Sequence, residues 1–135
     1  MLRQCSRQAV VIMEGEEYRM SAAENALPVL NRTAAIDAMG GDEEMFNTFL
    51  DLFMEDATKQ IAEIEAAIDR ADAVRLERAA HSLKGAAGTM HAERLSAVAR
   101  QLETMGKSGD LVGCRAVFLH LRAELENLRR FVQNQ

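Results

Sequence analysis

The chain has 135 residues, 16 basic against 21 acidic side chains, and 48% apolar but only 4% aromatic residues. That length suits one domain with a real core, and the acidic balance argues against a nucleic-acid binder, which needs a cationic face for phosphates. No stretch approaches the roughly 20 apolar residues of a membrane span, and Cys5 and Cys114 are too few and too far apart for a disulfide framework or a zinc site, so a cytoplasmic setting is expected.

Residues 1–26 show no clear period and read as a flexible or weakly structured extension. Val10, Val11 and Ile12 are candidates to dock on the body as an added turn, and Met20 is a candidate start. From Leu27 onward, residues 27–135, the signals strengthen. Thr33 is positioned to cap a short helix through Met39, which Gly40-Gly41 ends. Asp42 caps a long helix, with Glu43 and Glu44 at the positive end of its dipole. Its apolar stripe is Phe46, Phe49, Leu50, Phe53, Ala57, Ile61, Ile64 and Ile68, in steps of three and four. After Arg70-Ala71-Asp72 a second long helix runs to Thr89. A third covers Ala92 to Met105 with Leu95, Val98, Leu102 and Met105 inward. Gly106 to Gly109 reads as a turn, and Asp110 as the cap of a last helix whose inner face carries Cys114, Val117, Phe118, Leu121, Leu125, Leu128 and Val132. No strand pattern stands out. The expected fold is all-α: an antiparallel four-helix bundle with a short extra N-terminal helix.

The stretch His81-Ser82-Leu83-Lys84-Gly85-Ala86-Ala87-Gly88-Thr89 is unusual for a helix. Each interior glycine costs about 0.8–1 kcal/mol relative to alanine. At about 100° per residue, Leu76, Ala80, Leu83, Ala87 and Met90 cluster opposite His81 and form the core stripe. Val74, Glu77, Lys84, Gly85 and Gly88 fall in the sector of His81, with Arg78 at its edge. The histidine therefore points away from the core. Gly85 and Gly88 strip side chains from its approach, Lys84 offers a cation, and Val74 an apolar contact. Such a bare cationic patch suits a phosphoryl group that is received and handed on.

The run Ala80-His81-Ser82-Leu83-Lys84-Gly85-Ala86-Ala87-Gly88 closely resembles the signature of histidine-containing phosphotransfer (HPt) domains of multistep phosphorelays. Gly40-Gly41-Asp42, Leu102-Glu103 and Gly109-Asp110 fit the same resemblance, which spans Leu27 to Val132. It implies a four-helix bundle whose exposed histidine, His81, takes a phosphoryl group from a receiver-domain aspartate and passes it to another receiver. It implies Lys84 and Gly85 as the lysine and glycine that follow that histidine, and Glu103 as a polar residue that orients the imidazole. Val74, Glu77 and Arg78 are expected to dock the partner. His91 departs from the pattern, since many members carry glycine there.

An imidazole with its unperturbed pKa of about 6.5 is largely a free nucleophile at pH 7. A carboxylate at Glu103 is suited to hold Nδ1–H and leave Nε2 to react. The chain has no acidic metal-binding cluster around His81, so no bound metal or cofactor is expected, and Mg²⁺ must come from the receiver. It has no glycine-rich ATP loop and no room for a kinase fold. The expectation is a monomeric phosphocarrier without kinase activity, served by response-regulator receivers and an upstream hybrid sensor kinase. Two alternatives remain: the phosphorylatable domain of a larger hybrid or chemotaxis-type kinase, and a non-catalytic protein-interaction bundle. A di-iron bundle needs inward Glu-x-x-His motifs. Here Glu77 and His81 are four apart and outward, and neither His91 nor His120 has a glutamate three residues before it.

Overall fold

The computed structural model describes residues 10–13, 16–19 and 26–134. Its helices are α1 (Arg32–Ala38), α2 (Glu43–Asp69), α3 (Ala73–Thr89), α4 (Glu93–Ser108) and α5 (Cys114–Gln133). The four longer helices form the bundle, and α1 packs against α2. The most extensive contact of any pair is that between α3 and α4.

The starts of α2 and α3 follow from their caps. Asp42 Oδ1 accepts from the Met45 amide at 2.9 Å, and Asp72 Oδ1 from the Arg75 amide at 3.1 Å. Each satisfies one of the amides that a helix leaves orphaned in its first turn. The short helix is capped two residues earlier than expected: Asn31, not Thr33, accepts from the Ala34 amide at 3.1 Å. The Asn31 amide donates to the His91 carbonyl at 2.9 Å, and Arg94 Nε donates to the Leu27 carbonyl at 2.9 Å. These bonds lay the segment before α1 across the α3–α4 turn.

The core is built from Phe46, Leu50, Phe53, Ile61 and Ile64 of α2, and from matching stripes on the other bundle helices. Fully burying one such side chain contributes about 1.5–3 kcal/mol. Phe49, expected inward, is 44% exposed, because it sits at the edge of the stripe that Phe46, Leu50 and Phe53 define. Helix α4 does not stop at Met105 but runs to Ser108, so Gly106 is helical and buried. The reversal falls at Gly109, whose φ of +77° ends the helix. Asp110 does not cap α5. Its Oδ1 accepts from the Val112 amide at 3.1 Å, and Gly113 occupies the cap position.

Two short strands depart from the sequence reading. β1 (Val10–Met13) pairs antiparallel with β2 (Glu16–Arg19), Val10 opposite Arg19 and Met13 opposite Glu16, and the pair lies against α5. Val10-Val11-Ile12 is rich in β-branched residues, and only Glu14-Gly15 separates the strands in sequence, a hairpin-length link. Residues 1–9, 14–15 and 20–25 of the expected extension, Met20 as a start and Cys5 among them, lie outside the described residues. No described helix is long and apolar enough to cross a membrane.

Candidate functional site

Helix α3 buries Leu76, Ala80, Leu83, Ala87 and Met90 near its end, as the stripe requires. The opposite face carries His81, whose side chain is 67% exposed. Of the chain's three histidines it alone is exposed: His91 is half-buried, and His120 is buried beside Glu124, its Nε2 at 3.2 Å from Glu124 Oε2. A Cβ added at Gly85 would meet nothing within 4 Å. The backbone one turn beyond His81 is therefore open to a partner. At Gly88 a Cβ would touch Ser96 Oγ of α4 at 3.7 Å, so that space is shared with the neighbouring helix.

The centre of the site is Glu103 on α4, which is only 4% exposed. His81 Nδ1 lies 2.7 Å from Glu103 Oε2, and Lys84 Nζ lies 2.7 Å from Oε1. Lys107 Nζ stands 3.8 Å from Oε2. The hydrogen bond from Lys84 is the largest cause that holds the Glu103 carboxyl down at about 2, with His81 and the Lys84 and Lys107 charges adding to it against the opposing effect of burial. An ionised carboxylate only accepts hydrogen bonds. Nδ1 of His81 must therefore be the donor, and in the neutral ring the lone pair sits on Nε2. The geometry thus sets the tautomer that leaves the lone pair of the outer nitrogen free to act as a nucleophile.

Lys84 differs from its expected place. Its side chain is 27% exposed and engaged by Glu103, and its carbonyl accepts from Ser96 Oγ at 3.0 Å. It reaches the ring through the carboxylate that orients it. Val74 is 59% exposed and Arg78 is exposed, while Glu77 is half-buried. A shallow hollow beside His81 is lined by Glu77, Arg78, Ser82, Glu103 and Lys107.

Two contributors escaped the sequence reading. Gly106 presses on α3 so closely that a Cβ would lie 2.7 Å from the Glu77 amide nitrogen. His81 is one turn beyond Glu77 on α3, and Glu103 is about one turn before Gly106 on the antiparallel α4. The close crossing at Gly106 is what lets a buried glutamate reach an exposed histidine. Gly106 continues the Leu95, Val98, Leu102 steps, which is the signal that marks it as helical and inward. Lys107 is four residues after Glu103, a spacing that pairs side chains on one helix face. His91 has φ of +60° just past the end of α3, which explains why glycine suits that position. Among the described residues, no group of three or more His, Cys, Asp or Glu is arranged to hold a metal ion.

The sequence pattern of the Hpt domain matches residues 48–131. Among solved structures, the chain is similar to histidine-containing phosphotransfer protein B (HptB) from Pseudomonas aeruginosa PAO1. The likeness is 25% identical, covers 79% of this chain and 93% of that one, and has a TM-score of 0.74. The histidine-containing phosphotransfer protein ZmHP2 from maize shares the fold, at 22% identity, coverage of 76% and 94%, and a TM-score of 0.58. Comparison with curated proteins gives no match.

Proposed function

This chain belongs to the Hpt-domain family of phosphorelay phosphocarriers, and on that premise we propose that His81 is the residue that carries the phosphoryl group. The observation that carries this reading is an exposed imidazole whose Nδ1 is held by the ionised Glu103, 2.7 Å away. The Nε2 lone pair attacks the phosphorus of a receiver's aspartyl phosphate. The Nε2–P bond forms as the P–O bond to the aspartate breaks, and that electron pair returns to the aspartate as a carboxylate. The Nδ1 proton stays in place. The ring becomes a phosphoimidazolium, whose positive charge faces Glu103. The second transfer runs the same steps in reverse onto another receiver. In-line phosphoryl transfer depends mainly on positioning and charge neutralisation. The Mg²⁺ and the acidic pocket belong to the receiver in this reading, and the chain acts as a carrier without kinase activity of its own.

Open backbone at Gly85 supports a flat receiver surface closing over the ring, with Val74 and Arg78 as flanking contacts. The test is incubation with phosphorylated receiver domains. The protein should acquire a label that is labile to acid and stable to alkali, and His81→Gln should fold normally and remain unlabelled. Normal labelling of His81→Gln would reject the assignment.

A further inference from the structure

We propose that Lys107 is the mobile cation of this site, leaving Glu103 to pair with the phosphoryl group once His81 carries one, while Lys84 stays on Glu103. The inference rests on His81 as the phospho-acceptor and adds a positioning residue to that reading.

The three groups around Glu103 hold it unequally. Lys84 Nζ and His81 Nδ1 each sit at 2.7 Å, within hydrogen-bond range, on different oxygens. Lys107 Nζ stands at 3.8 Å from Oε2, which His81 already occupies. Its hold is Coulombic, without a hydrogen bond to that carboxylate. Of the two lysines the more weakly held is also the more exposed, with the Lys84 side chain at 27% and that of Lys107 at 60%.

Departure of the two lysines has different consequences. Removing Lys84 would leave Oε1 of a carboxylate whose side chain is only 6% exposed without its close cation, and a buried charge deprived of its partner is strongly unfavourable. Removing Lys107 leaves both carboxylate oxygens with their 2.7 Å partners. Position agrees with strength. Lys107 and Arg78 line the hollow beside His81, whereas Lys84 is not part of that lining. A phosphoryl group on the ring adds negative charge at the edge of that hollow. The exposed lysine already in it can turn toward that charge by side-chain rotation alone.

The experiment is the transfer equilibrium between a phosphorylated receiver and the wild type, Lys107→Ala, Lys107→Arg and Lys84→Ala, at low and high salt, with thermal melting of each unphosphorylated protein. An equilibrium compares free proteins, so contacts made only in the docked complex cancel. At low salt, Lys107→Ala should shift the equilibrium away from the phosphorylated carrier by about two- to fivefold, as expected for an exposed ion pair. High salt should remove most of that difference, Lys107→Arg should restore the wild-type value, and melting should change much less than in Lys84→Ala. Lys84→Ala should lower the melting temperature. A Lys107→Ala protein that labels at His81 with the wild-type equilibrium overturns the proposal, as does a loss that Lys107→Arg fails to recover. If the wild type itself takes no label, the His81 reading falls and carries this inference with it.

Discussion

Gly106 of α4 rests on the backbone of Glu77 of α3, where a Cβ would come within 2.7 Å of the amide nitrogen and 2.8 Å of the Cα. Backbone atoms cannot rotate away as a side chain does. Gly106→Ala should therefore push the two helices apart, destabilising the fold by about 1–3 kcal/mol. That exceeds the gain of up to about 1 kcal/mol in helix propensity. The same displacement should lengthen the His81–Glu103 bond and slow phosphoryl transfer. Urea unfolding beside transfer rates checks both. A Gly106→Ala protein at least as stable as the wild type would show that this crossing is not tight.

Acid should expose the role of Glu103. Its carboxyl is held at about 2 in the folded protein against an ordinary value of 4.5, chiefly by Lys84. A depressed carboxyl pKa stabilises the folded state fully above the unfolded value, and that stability is lost as pH falls toward the folded value. The stability difference between wild type and Glu103→Gln, on the order of 1–3 kcal/mol at neutral pH, should shrink between about pH 4.5 and 2. In Lys84→Ala the Glu103 carboxyl should move back toward its ordinary value. Carbon-13 titration of the side-chain carboxyl reads this directly, and an unchanged midpoint in Lys84→Ala would contradict the leading part given to Lys84.

Gly85 separates docking from folding. Nothing lies within 4 Å of a Cβ built there. Gly85→Gln should fold with wild-type or slightly raised stability, since glutamine is the better helix former by several tenths of a kcal/mol. It should bind receivers weakly and transfer slowly, because a long side chain then stands beside the ring. Wild-type transfer by Gly85→Gln would remove the steric account of this glycine.

What could be read from the sequence was whatever depends on one helix at a time. The caps at Asp42 and Asp72, the core stripe of α3 and the outward direction of His81 all follow from local chemistry and a 3.6-residue period. Relations between helices were less accessible. The carboxylate of Glu103 was placed beside His81 by resemblance. Its grip on Lys84, however, depends on how far α3 and α4 are staggered, which no single-helix projection contains. Gly106 reads as part of a turn in the sequence because Lys107-Ser108-Gly109-Asp110 follows it with strong turn chemistry. The positive φ needed to end α4 is instead supplied by Gly109. The buried His120–Glu124 pair hid in the last helix because polar residues are normally assigned to the solvent face. The β1–β2 hairpin was missed because its strands are only four residues each, too short for an alternating pattern to show.

In the proposed mechanism Glu103 fixes Nδ1 of His81 as the proton donor and leaves Nε2 to take the phosphoryl group. The most direct measurement is a nitrogen-15 and phosphorus-31 correlation spectrum of histidine-labelled protein after phosphorylation by a receiver. One phosphorus should couple to Nε2 of His81, with the Nδ1 proton still present and hydrogen-bonded. Coupling to Nδ1 of His81, or to a nitrogen of His91 or His120, would contradict it.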